Sequence, residues 1–158
     1  MSRPTRWSST LLAAGSMVML GGCGSAACTL DSCPSGAGVT GKFELGDSTA
    51  AVDAKFCNAH ARCVTELINR RDFSWGREFC AGLNRSEICF SGPTDGQVEV
   101  SARLLQDSGD MPPDGESFTL TLVDHDSKQV IVEQTRFADY ETTREDDCHH
   151  CWWAAMQL

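Results

Sequence analysis

The chain has 158 residues, 13 Lys+Arg against 22 Asp+Glu, nine cysteines and 41% hydrophobic residues, a size that fits one ordinary domain. A formal charge of −9 without any Lys/Arg-rich run excludes nucleic acid as a partner, because a phosphate-binding face needs clustered cations. The apolar stretch at residues 11–20 is too short to cross a bilayer core as a helix, so no membrane-spanning helix is expected.

Arg3 and Arg6 precede that stretch, giving the charged n-region and short h-region of a secretory signal. Leu20-Gly21-Gly22-Cys23 follows at once and resembles the lipobox of bacterial lipoproteins. The resemblance implies a signal peptide at residues 1–22, cleavage before Cys23 and acylation of that cysteine. Loss of Arg3 and Arg6 would leave 11 basic against 22 acidic side chains, a net charge of −11. Such a chain repels anionic head groups, so the expected membrane attachment is the lipid itself, at about 0.8 kcal/mol per buried CH₂. Gly24, rather than Asp, after the lipidated cysteine points by the same resemblance to the outer membrane.

The remaining cysteines are Cys28, Cys33, Cys57, Cys63, Cys80, Cys89, Cys148 and Cys151, an even number in an exported chain, which reads as a disulfide framework. Eight cysteines allow 105 pairings. The short gaps within 28/33, 57/63, 80/89 and 148/151 make local pairing the simplest arrangement.

Residues 24–38 are rich in Gly, Ala and Ser and read, with Cys23, as a lipidated tether over 23–38. From Val39 the alternation of Val39, Gly41, Phe43 and Leu45 with polar neighbours marks a half-buried strand and the start of a single domain over 39–158. Residues 50–67 fit both a helical and an alternating period. Cys57 and Cys63 would lie on opposite faces of a helix, which favours a hairpin over residues 50–67. Residues 69–84 show no sustained period and read as a long irregular connection, with one helical turn around 77–81.

Glu87-Ile88-Cys89-Phe90 reads as a short strand, closed by turn formers at 91–96. Val98, Val100, Ala102 and Leu104 alternate cleanly in a further strand. The proline-containing segment 107–115 is a loop. Phe118, Leu120 and Leu122 alternate, Asp124-His125-Asp126-Ser127 turns the chain, and residues 129–137 return, the clearest hairpin signal of all. Residues 141–147 are acidic and loop-like. Residues 151–158 read as a last strand, apolar on both faces.

Seven to eight short strands and no convincing amphipathic helix pair predict an all-β fold, an Ig-like or transthyretin-like β-sandwich with disulfides. Phe56-Cys57-Asn58 with Cys63, the strand from Phe118 to Asp124, and Asp147-Cys148-His149-His150-Cys151 also resemble the Cys-rich extracytoplasmic domains of lipoproteins of myxobacterial type. That resemblance carries no assigned activity with it.

Cys148-His149-His150-Cys151, joined by His125, holds the ligand types that zinc or copper prefers, but the second half of a structural zinc site is missing. A disulfide-closed turn is the competing reading. The same C-x-x-C could serve thiol-disulfide exchange, yet the seven residues after it cannot supply the strand–helix context such a pair needs. Asp124-His125-Asp126, between two strands, is read as turn chemistry. Neither a nucleophile elbow, a phosphate loop, H-E-x-x-H nor EF-hand spacing occurs. No cofactor is expected. Arg70, Arg71, Phe73, Trp75 and Arg77 are residue types of partner-contact loops, for a protein or glycan, with burial of Phe73 and Trp75 at a core edge as the alternative. The function these features imply is a non-enzymatic, lipid-anchored binding or envelope-structural module, with metal binding and thiol-disulfide exchange as the rivals.

Overall fold

A computed structural model describes residues 35–73, 77–83, 86–94, 97–106, 112, 114–146 and 149–158, with backbone alone at 93–94, 144–146 and 149–150. Alternation of apolar and polar residues builds nearly everything in it. In β6 (Gln97–Gln106) Val98, Val100, Ala102 and Leu104 are buried while Gln97, Glu99 and Arg103 are exposed, the period of two expected when one sheet face meets a core. The other strands are β1 (Ser35–Glu44), β2 (Ala51–Asn58), β3 (Cys63–Asn69), β4 (Glu78–Leu83), β5 (Ser86–Thr94), β7 (Ser117–Asp124), β8 (Val130–Phe137), β9 (Glu141–Asp146) and β10 (His149–Gln157). A single helical turn, α1 (Arg70–Phe73), lies between β3 and β4.

Two sheets form, one of six strands in the order β4-β5-β6-β1-β10-β9 and one of four in the order β3-β2-β7-β8. β1 and β10 run parallel, and the other pairs are antiparallel. The inner faces share one hydrophobic core, with Phe56, Phe118, Leu120 and Ile68 from the smaller sheet against Ile88, Phe90, Val100 and Trp152 from the larger. The all-β sandwich is therefore the fold, and the hairpin over residues 50–67 is present as β2 and β3, with Cys57 opposite Cys63.

Three expectations are corrected. Residues 35–38, expected as tether, belong to β1: Ser35 and Ala37 are 3% and 0% exposed, and β1 is sandwiched between β6 and β10. Its glycines looked like tether composition but allow close backbone approach, since a Cβ on Gly36 would lie 2.4 Å from the Leu104 carbonyl oxygen. Among the described residues ten strands replace the expected seven to eight, because the connection over 69–84 contains β4 and the acidic segment at 141–147 contains β9. Both are edge strands with one paired neighbour, where burial imposes little hydrophobic pattern and charge protects the free edge. The helical turn falls at 70–73 instead of 77–81. β10 carries apolar residues on both faces as expected, Trp152, Ala154 and Met156 buried in the core and Trp153 and Ala155 on the outer face.

Candidate functional site

The outer face of the six-stranded sheet carries a groove of about 370 Å³ that crosses β4, β5, β6, β1 and β10. Register places its residues side by side. Cys80 lies opposite Cys89, Cys89 opposite Ser101, Ser101 opposite Thr40, and Thr40 opposite Gln157. One step along the strands, Glu87 lies opposite Arg103, Arg103 opposite Gly38, and Gly38 opposite Ala155. Gly38 and Ala155 make a low floor. A Cβ on Gly38 would come within 2.9 Å of the Trp153 ring, so the glycine gives the indole its seat and the half-buried Trp153 forms one wall.

The opposite wall is the Cys80–Cys89 disulfide with Glu78 beside it. Glu78 brings a carboxylate within 4.8 Å of both sulfurs, but sulfurs bonded to each other have no thiolate to offer a metal. Between the walls, Arg103 donates from Nε to Glu87 Oε1 at 2.6 Å and from Nη2 to the same oxygen. Only one carboxylate oxygen is engaged, and the remaining guanidinium N–H groups and Glu87 Oε2 have no protein partner in this pair.

A second polar cluster stands on the outer face of the four-stranded sheet. His125 Nδ1 meets Asp53 Oδ1 at 2.9 Å and Lys128 Nζ donates to Asp53 Oδ2 at 3.1 Å. The hydrogen bond from His125 holds the Asp53 carboxyl below the usual carboxylate range; Lys128 adds to this against an opposing desolvation. Asp124 is also held low, first by the Ser127 backbone N–H and then by the Ser127 hydroxyl, and its Oδ1 accepts from the N–H of Asp126 as well. Asp124, His125 and Asp126 thus do the turn chemistry expected of them.

Of the partner-contact candidates, Phe73 is 1% exposed and packs on Phe90 at a centroid distance of 5.2 Å, so it covers the core edge. Arg70 donates to the Gly46 carbonyl at 2.6 Å and ties the β1–β2 turn to α1. Arg71 lies 3.7 Å from Asp72, and Arg77 is exposed with its carbonyl accepting from Gly92 N–H at 3.0 Å. Cys57–Cys63 and Cys80–Cys89 are bonded as local pairs, and Cys151 is buried and disulfide-bonded. A thiolate is therefore not available from Cys151, and His125 belongs to the other sheet, held by Asp53. Residues 1–34 with Cys23, Cys28 and Cys33, Trp75, the greater part of the loop at 107–113, Cys148 and the side chains of His149 and His150 lie outside the described residues.

Among the described residues, then, the chain is a disulfide-bonded two-sheet sandwich with a polar groove on its larger sheet. It matches no protein-family model, no curated protein and no solved structure. No described helix is long and apolar enough to cross a membrane. The groove residues Gly38, Thr40, Glu87, Ser101, Arg103, Trp153 and Gln157 escaped sequence reasoning. Their signal was faint: they are the outward alternates of strands whose inward positions are plain.

Proposed function

We propose that this chain is a non-enzymatic binding module of the bacterial cell envelope, anchored in the outer membrane by acyl chains on Cys23 and presenting the groove of its larger sheet to a ligand. The groove carries the reading, because it combines an aromatic wall, a small-residue floor and uncommitted hydrogen-bonding groups on strands that are paired on both sides. Disulfides suit a domain working in an oxidising compartment. The titratable trio Asp53, His125 and Lys128 supports a structural rather than a catalytic role, since its charges are spent on one another across a turn.

Two measurements test the two halves of this reading. A Cys23→Ser chain is expected to lose both label from a fatty-acid analogue and membrane fractionation; a labelled Cys23→Ser protein refutes the anchor. Hydroxyl-radical footprinting is expected to find Trp153 and Gln157 protected in intact envelopes relative to the purified chain, with Thr65 on the other sheet equally reactive in both. Equal reactivity of Trp153 in both settings refutes the groove.

A further inference from the structure

We infer that the groove takes a neutral oligosaccharide, an assignment that rests on reading it as a ligand site. Charge narrows the class first. Glu78 and Glu87 face a single Arg103, so the lining has an excess negative charge, and the one cation is already neutralised by Glu87. An anionic ligand would meet repulsion without a free partner. Hydrogen bonding narrows it further. Thr40 and Ser101 offer hydroxyls, Gln157 an amide, and the Arg103–Glu87 pair sets spare N–H donors beside a spare carboxylate oxygen. Adjacent donors and acceptors of this kind match neighbouring hydroxyls on a sugar ring, each of which both donates and accepts.

Trp153 supplies the complementary apolar surface. Its seat on Gly38 fixes the indole against the sheet, and the C–H face of a sugar packs on such a ring at little entropic cost to the protein. A peptide is the less suitable occupant. Main-chain recognition by strand addition needs a free edge, whereas β5, β6, β1 and β10 are each paired on both sides. Side-chain recognition needs apolar pockets, and the outward lining offers one large apolar side chain, Trp153, over a floor of glycine and alanine. Across β5, β6, β1 and β10, spaced by about 4.8 Å, the groove spans roughly 14 Å, room for a short chain of rings rather than a single one.

The test uses the full chain in a detergent without a sugar head group, titrated by calorimetry with tri-N-acetylglucosamine, cellotriose, maltotriose and xylotriose, and with trigalacturonate as the anionic control. At least one neutral trisaccharide is expected to bind and trigalacturonate not to. Trp153→Ala should weaken binding about tenfold or more, as expected of an aromatic anchor. Trp153→Phe should retain most of it, Arg103→Ala should weaken it, and Thr65→Ala on the opposite sheet should leave it unchanged. Melting curves check that each variant is folded. Preference for trigalacturonate, binding that survives Trp153→Ala in a folded protein, or failure of all four neutral sugars overturns the assignment. If the sugars fail while Trp153 remains protected in envelopes, only the ligand class is wrong; if protection is absent too, the groove itself falls.

Discussion

Two glycines on β1 separate close approach from seating. A Cβ on Gly36 would lie 2.4 Å from the Leu104 carbonyl oxygen, a backbone atom held by the β1–β6 ladder, whereas one on Gly38 would meet the Trp153 side chain first, at 2.9 Å, and the Ala102 carbonyl oxygen at 3.2 Å. Gly36→Ala is therefore expected to destabilise the fold by about 1–3 kcal/mol, the usual cost of overpacking. Gly38→Ala should cost less than Gly36→Ala, since its shortest clash is with a side chain, while displacing Trp153. Denaturant unfolding and the Trp153 indole resonance distinguish these outcomes, and a stability loss at Gly38 equal to that at Gly36 would contradict the seating. A pH effect follows from Asp53. Its carboxyl titrates lower in the folded chain than in the unfolded one, chiefly through His125, so its contribution is complete above the unfolded carboxylate range and fades as pH falls through the lowered value. Unfolding curves of the native chain and Asp53→Asn should accordingly converge on the acid side and separate toward neutrality. A gap that persists undiminished into strong acid would count against this account.

Hairpins and edges differ in how plainly residues announce them. Cys57 and Cys63 sit opposite each other at the end of the β2–β3 ladder, where Asn58 N–H donates to Arg62 O at 3.0 Å and Asn58 Oδ1 accepts from Arg62 N–H at 2.9 Å. Breaking this bond with Cys57→Ser and Cys63→Ser together should lower stability by about 2 kcal/mol, the loop-entropy value for so short a ring, and leave the strands paired. Non-reducing peptide mapping that joins either cysteine to another would refute the pairing. Alternation alone leaves this element open to a helix, although Val52, Ala54 and Phe56 in β2 and Val64 and Ile68 in β3 are buried; the spacing of Cys57 and Cys63, opposite faces on a helix, makes the hairpin readable. β4 was not readable. As an edge strand it has half-buried Phe79 and Ala81 inside and Glu78, Cys80 and Leu83 exposed, so its pattern is weak and brief. β9 hides similarly behind Glu141-Thr142-Thr143-Arg144-Glu145-Asp146, charges that suit an edge but imitate a loop. The groove was illegible because it belongs to no segment. Gly38, Arg103 and Trp153 become neighbours only through the order β6-β1-β10, which places the first and last described strands side by side.

At the scale of the whole molecule, a sandwich needs something besides apolar contact to fix how one sheet sits on the other. Glu116 does this at one end. It accepts from Asn58 Nδ2 at 2.8 Å, from the Tyr140 hydroxyl at 2.6 Å and from Gln106 Nε2 at 3.4 Å, gathering β2 of the smaller sheet, β6 of the larger and the crossing between β8 and β9. Backbone bonds reinforce the junction: Gly115 N–H donates to Ala138 O and Ala138 N–H to Glu116 O, both at 2.8 Å, with Gly115 in a left-handed conformation at φ +89°. The Tyr140 ring then meets Trp152 edge-on at 5.0 Å, so the polar node leads directly into the core. Burial and the neighbouring Glu116 raise the Tyr140 phenol far above its ordinary value, keeping it a neutral donor throughout the pH range in which proteins fold. Tyr140→Phe retains the ring contact and removes one donor to a charged acceptor, for which a loss of about 1.5–3 kcal/mol is expected. Glu116→Ala should cost more, because it strands the Asn58 amide and the Tyr140 hydroxyl together, and in Tyr140→Phe its additional cost should shrink, since that donor is already gone. Urea unfolding of the two single variants and the double variant measures this coupling directly. Strictly additive losses would mean that Tyr140 and Glu116 stabilise the molecule independently and that the sheets are oriented by the apolar core alone.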